Sequence, residues 1–172
     1  IWSFSDGAHI DYSIRHIDRE TDFDRFDFFV TGLPADAENR TSSKYLYAGL
    51  SLEQKVSETL NHSITFNRTD SDNETIDADP VNDLTKGTKD VFKYQLNYLS
   101  SLHSFSALLE HESQDYTQSG QASFFGDPNK RLKSKTKSIA AEYRVSPGTF
   151  NISASWRVDN NTEFENANSW RI

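Results

Sequence analysis

Phe92-Lys93-Tyr94-Gln95-Leu96-Asn97-Tyr98 alternates apolar and polar residues one for one. Successive side chains of a strand point to opposite faces, so the stretch reads as a β-strand with one face toward an apolar medium and the other toward a polar one. The same pattern recurs on both sides of it. Toward the N-terminus are Ile10, Tyr12 and Ile14 within His9 to Ile17. Next come Leu46, Ala48, Leu50 and Leu52 within Lys44 to Glu53, then Leu60, His62, Ile64 and Phe66 within Leu60 to Arg68. Toward the C-terminus stand Phe105, Ala107 and Leu109, whose polar side is interrupted by Leu108. After these come Ile139, Ala141, Tyr143 and Val145, and then Phe150, Ile152, Ala154, Trp156 and Val158. An eighth run begins near Ser169.

The connections alternate in kind. Gln54 to Thr59, Leu99 to Leu102 and Ser146-Pro147-Gly148 are short, the last a turn signal through the fixed φ of proline and the freedom of glycine. Asp18 to Ser43, Thr69 to Lys89 and His111 to Ser134 are polar and exceed the ~12 to 15 residues usual for structureless loops. Tight turns at one rim and long loops at the other are the pattern of a membrane β-barrel. Runs of about ten residues suit the ~9 to 11 that cross a bilayer at a tilt, and no segment approaches the ~20 apolar residues of a spanning helix. The expected fold is all-β: an antiparallel up-and-down meander of about eight strands forming part of a transmembrane β-barrel. Residues 1–172 would be one partial barrel domain.

Composition agrees. Of 172 residues 35% are hydrophobic and 13% aromatic, against the about 45–50% apolar content of an ordinary soluble domain. A wet inner face and an outer band with interfacial rings account for both figures. The absence of cysteine excludes a disulfide framework and thiolate metal sites. The chain lacks methionine, starts in strand-like sequence and ends inside its last run, which leads us to expect a piece of a longer chain.

Net charge is −8, from 18 basic and 26 acidic residues, which argues against a nucleic-acid surface. The one basic cluster, Lys130 to Lys137, has three readings: a solvated strand entrance that discourages wrong edge pairing, a contact with anionic lipopolysaccharide phosphates, or, least favoured by the net charge, a nucleic-acid contact. Two connections are rich in carboxylates, suited either to solubility or to calcium, which takes six to eight oxygen ligands. Asp70-Ser71-Asp72-Asn73-Glu74 starts like a calcium-binding loop but has Thr75 where that loop needs glycine. Six Asn-x-Ser/Thr sequons, at Asn39, Asn61, Asn67, Asn73, Asn151 and Asn160, fall largely within strand-like runs and read as chance. No nucleophile elbow, phosphate loop or zinc-protease motif occurs, and the five histidines are scattered. The chain is therefore expected not to be an enzyme.

Arg157-Val158-Asp159-Asn160-Asn161-Thr162-Glu163-Phe164-Glu165, followed by Ser169-Trp170-Arg171, resembles a barrel hairpin of TonB-dependent outer-membrane receptors, in particular those similar to the vitamin B12 receptor. Ser43 to Leu50 and Phe66 to Thr69 resemble strands of that family in the same order. Asn160 stands where the family often has a second Asp, and Glu165 where it often has Gly. The resemblance implies an outer-membrane transporter with a barrel of about 22 strands and a plugged lumen. Such a transporter captures a metal chelate (siderophore, haem or cobalamin) and imports it with energy delivered by TonB through the plug. The plug, the TonB contact and the terminal aromatic strand are not expected in these residues. The resemblance further implies calcium on acidic outer loops, with Asp22, Asp24, Asp36, Glu38 and Asp72 the nearest equivalents. Two other readings fit the alternation: a complete small eight-stranded outer-membrane protein, and a soluble lipocalin-like carrier. In the carrier Phe92, Tyr94, Leu96, Phe150, Ile152, Ala154 and Trp156 would line a closed interior.

Overall fold

The computed structural model describes residues 2–5, 7–26, 32–76, 83–122, 124 and 126–172. They form one antiparallel sheet whose strands lie in chain order, each hydrogen-bonded to the next. The strands are β1 (Trp2–Ser5), β2 (Ala8–Phe26), β3 (Pro34–Lys55), β4 (Leu60–Ile76) and β5 (Asp83–Leu99). They continue with β6 (His103–Ser119), β7 (Lys130–Val145), β8 (Ile152–Asn161) and β9 (Ala167–Arg171). The eight expected runs are β2 to β9, and β1 precedes them. No helix is present among the described residues.

The tight connections stand where the sequence puts them. Between β3 and β4 the backbone N–H of Val56 donates to the Leu60 carbonyl at 2.8 Å, and Ser57 Oγ accepts from the N–H of Leu60 at 3.1 Å. Between β5 and β6, Ser100 N–H donates to the His103 carbonyl at 2.8 Å. Gly148 has φ +61°, which the Pro147-Gly148 turn between β7 and β8 requires and a side chain would resist. Phe150 lies in that connection, outside β8.

The other end corrects the sequence reading. Most of Asp18 to Ser43, Thr69 to Lys89 and His111 to Ser134 is paired strand, not loop. Asp18 faces Lys44, Glu20 faces Ser42, Asp72 faces Lys86, and Asp115 faces both Thr88 and Lys133. Ser, Thr, Asn and opposite charges ladder here across the strands. With polar residues on both faces, the periodicity that marks a half-apolar strand disappears although the backbone pairing continues. Between β6 and β7 the chain turns through 120–129, where Asn129 Nδ2 donates to the Gly120 carbonyl at 3.0 Å and Asn129 Oδ1 accepts from Gly120 N–H at 3.1 Å.

Register sorts the side chains into two faces. Ile10, Leu52, Ile64, Tyr94, Leu109, Ile139 and Val158 lie in one row across seven strands. The next row toward the tight turns holds His62, Leu96, Ala107, Ala141, Trp156 and Trp170. The opposite face carries Ser51, Thr65, Lys93, Glu110, Ser138 and Asp159 in one row. Ala8 is the only buried hydrophobic residue among those described, so no sealed apolar core exists there.

Candidate functional site

The apolar face is the more open one. Leu109 is 50% exposed, Ile139 52% and Trp156 45%, whereas Ser138 on the polar face is 2% exposed. Along β8 the apolar residues Ile152, Ala154 and Trp156 are exposed, while Ser153, Ser155, Arg157 and Asp159 between them are partly covered. Neither face is packed on by another element, since the described residues form a single sheet. The lower exposure of the polar side chains is therefore that of a concave face where neighbours crowd together. By that crowding the polar groups lie on the inner side and the apolar groups on the outer side, whereas the carrier reading expects the apolar groups within. Of the residues that line the interior in the carrier reading, Phe92, Ile152, Ala154 and Trp156 are exposed on this surface, Phe150 is exposed in the turn before β8, and Tyr94 and Leu96 are partly covered.

The apolar set also drifts along the strands. On β2 it is centred on Tyr12, which shares a row with Phe66, Phe92, His111, Lys137 and Asn160. On β8 it is centred between Ala154 and Trp156, about five residues closer to the tight turns. At roughly 3.3 Å per residue and 4.8 Å per strand, that drift over six strand steps gives a slant of roughly 30°. A belt lying flat in a plane crosses strands in this way when they are tilted, as barrel strands are by about 35–45°.

The concave face holds an ion network spanning four strands. Glu110 on β6 receives Lys93 Nζ from β5 at 2.9 Å and Arg157 Nη2 from β8 at 3.1 Å. Arg157 Nε donates to both Asp159 oxygens at 2.9 and 3.0 Å, and its Nη2 donates to Ser138 Oγ at 3.0 Å. The Ser138 hydroxyl donates in turn to Asp159 Oδ1. Lys89 Nζ meets Glu112 at 2.8 Å one row further from the tight turns. Every charged group in this cluster has an opposite charge in reach, and the arrangement is that of a polar wall.

Beyond the belt the convex face becomes charged. Arg68 Nε donates to Asp70 at 3.0 Å, Thr88 Oγ1 donates to Asp70 at 2.9 Å, and Lys86 reaches Asp72 at 3.0 Å. Asp115 is held by Arg131 Nη2 at 2.7 Å and Lys133 Nζ at 3.0 Å. The hydrogen bonds from Arg131 and Lys133, together with their charge, hold the Asp115 carboxyl at about 2. Sequence reasoning missed this ladder, because alternating basic and acidic residues on neighbouring strands carry no signal until register aligns them.

Four of the calcium candidates fall at one place on the sheet and the fifth lies apart. The register of β2 on β3 slips between Phe23 and Arg25, so Asp24 lies beside the irregularity that spans Asp36 and Glu38, with Asp22 opposite Arg40. Asp72 sits on β4 between Lys44 and Lys86 and pairs with the latter, away from the β2–β3 slip. Among the described residues no group of three or more His, Asp or Glu side chains is arranged to hold a metal ion.

No protein-family model, no curated protein and no solved structure matches this chain.

Proposed function

We propose that this chain is part of the barrel of a TonB-dependent outer-membrane transporter that captures and imports a metal chelate. The observation that carries the membrane half of the reading is the slanted apolar belt on the convex side of a sheet with a charged, hydrogen-bonded concave side. Water on both sides would leave a contiguous apolar surface of this extent unpaid for, whereas lipid tails against the belt and water against Glu110, Arg157 and Asp159 satisfy both faces. From Tyr98 to Phe92 the β5 belt rises roughly 20 Å along the strand, comparable with the ~25 Å band of outer-membrane barrels. The transport half rests on the likeness of Ser43 to Leu50, Phe66 to Thr69 and Arg157 to Arg171 to receptor strands. In this reading the protein resides in the outer membrane of a Gram-negative cell, touches its lipid with the belt, receives TonB through a plug and has no nucleic-acid partner.

The test is uptake. Cells lacking the gene should lose TonB-dependent accumulation of at least one labelled siderophore, haem or cobalamin, and regain it when the intact gene is returned. Unchanged uptake of all three, with the protein recovered as a detergent-free monomer from the aqueous phase, overturns the proposal.

A further inference from the structure

On β7, Arg131, Lys133, Lys135 and Lys137 occupy alternate positions, so all four project from the same face, and the next residue on that face is Ile139 of the belt. The cluster that looks in sequence like an undifferentiated basic run is therefore a single column standing on the rim of the apolar surface. Lys130, Leu132, Ser134 and Thr136 lie on the other side of the strand.

The column divides in two. Its far pair, Arg131 and Lys133, shares one carboxylate, Asp115. Its near pair does not. Lys137 has His111 on one flank and Asn160 on the other; Lys135 faces Ser113, and on its β8 side the backbone is bonded to Thr162. Neither near lysine makes an ion pair among the described residues. The nearest carboxylate in Lys135's row, Asp90, lies two strands away and is engaged by Arg68 at 3.4 Å. Four cations against one acid make this a positive strip on a chain whose net charge is −8. Both near lysines are exposed and stand roughly 7 Å apart along the strand.

We propose that Lys135 and Lys137, with Lys133 and Arg131 behind them, bind the phosphate groups of an anionic membrane lipid whose acyl chains lie on the belt below Ile139. The proposal rests on the membrane reading of the belt. Charge complementarity and position together select this occupant. A lipid headgroup stands at the border of the hydrocarbon layer, where these ammonium groups are, and basic groups at such a surface gain from each anionic headgroup they approach. A free phosphate would use only the charge and draw nothing from the adjoining Ile139, Ala141 and Tyr143.

The experiment uses the intact protein in neutral detergent, titrated with short-chain phosphatidylglycerol and with phosphatidylcholine of the same tails, binding being read by native mass spectrometry. Preferential binding of phosphatidylglycerol is expected, falling about thirtyfold in the Lys135→Gln/Lys137→Gln double variant. Lys55→Gln, at the tight-turn end, should leave it unchanged. Equal binding of the two lipids, or a preference that survives the double variant, overturns the lipid-phosphate site while leaving the belt intact. Competition by inorganic phosphate at the same concentration as the lipid overturns the lipid as its source. A protein that binds neither lipid and stays monomeric without detergent removes the belt, and this site with it.

Discussion

Leu96 and Gln95 are neighbours on β5 that point to opposite faces, and an arginine at each separates the two environments. Leu96 lies in the central belt row between His62 and Ala107, with Ala141 and Trp156 beyond. Gln95 lies on the concave face between Ser63 and Leu108 and donates to Asn97 Oδ1 at 2.9 Å. An arginine facing lipid near the bilayer midplane costs about 2–4 kcal/mol, falling toward zero at the interfaces, whereas a solvated one on a polar wall costs within about 0.5 kcal/mol. Leu96→Arg should therefore shift the unfolding equilibrium roughly thirty- to a thousandfold, and Gln95→Arg by little more than twofold. The assay is reversible urea unfolding of the intact protein in phospholipid vesicles, followed by tryptophan emission. If Gln95→Arg costs as much as Leu96→Arg, or more, the concave face is the one shielded from water and the assignment of faces is refuted.

Other expectations concern the polar wall, the charged ladder and the turns. Glu110→Gln takes the anion from both Lys93 and Arg157; the loss should be about 1–2 kcal/mol by the same unfolding assay, after allowing for the part-exposure of the two cations. Asp115 should titrate near 2 by carboxyl-carbon NMR, and Arg131→Gln should move it back toward the ordinary carboxylate range. Since its folded value lies below an unfolded value of about 3.9, its stabilising contribution is fully present above pH ~4 and disappears as pH falls from there toward 2. An unchanged titration in Arg131→Gln would contradict the pairing. Gly148→Ala forces a side chain into positive φ and should cost about 1 kcal/mol, measured as a lowered urea midpoint without change in slope.

Where one face was apolar, the strands could be read from the sequence. Phe92 to Tyr98 and Ile152 to Val158 announce themselves because a two-residue period cannot persist by accident over that length, and even His62 falls on the apolar parity, edge-on to Tyr94 at 5.8 Å. Past the belt the same strands become illegible. Thr69 to Ile76 and Glu112 to Ser119 have polar groups on both sides, so composition says loop while cross-strand pairing makes strand. Leu108, which breaks the polar side of its run, rests beside Ala140 and Gln95 on the concave wall, a local apolar patch that only register reveals. The cation column was visible as a run of basic residues, but not as one face. That required knowing that Lys130 to Val145 is a single uninterrupted strand. The network of Glu110, Ser138, Arg157 and Asp159 was beyond reach of the sequence: Arg157 and Asp159 are two residues apart on β8, but Glu110 and Ser138 are far from them in the chain and join them only through the order of β6, β7 and β8.

The overhang of the strands has a mechanical consequence. From Phe66 to Ile76, β4 runs on for roughly 33 Å beyond the belt, and it is hydrogen-bonded to β3 and β5 for nearly all of that length. Slack loops must surrender about 1–2 kcal/mol of backbone freedom per residue when a visitor orders them. A laced palisade has surrendered it already. Whatever alights on this rampart meets a rigid wall, and its grip is not diluted by the disorder of its host.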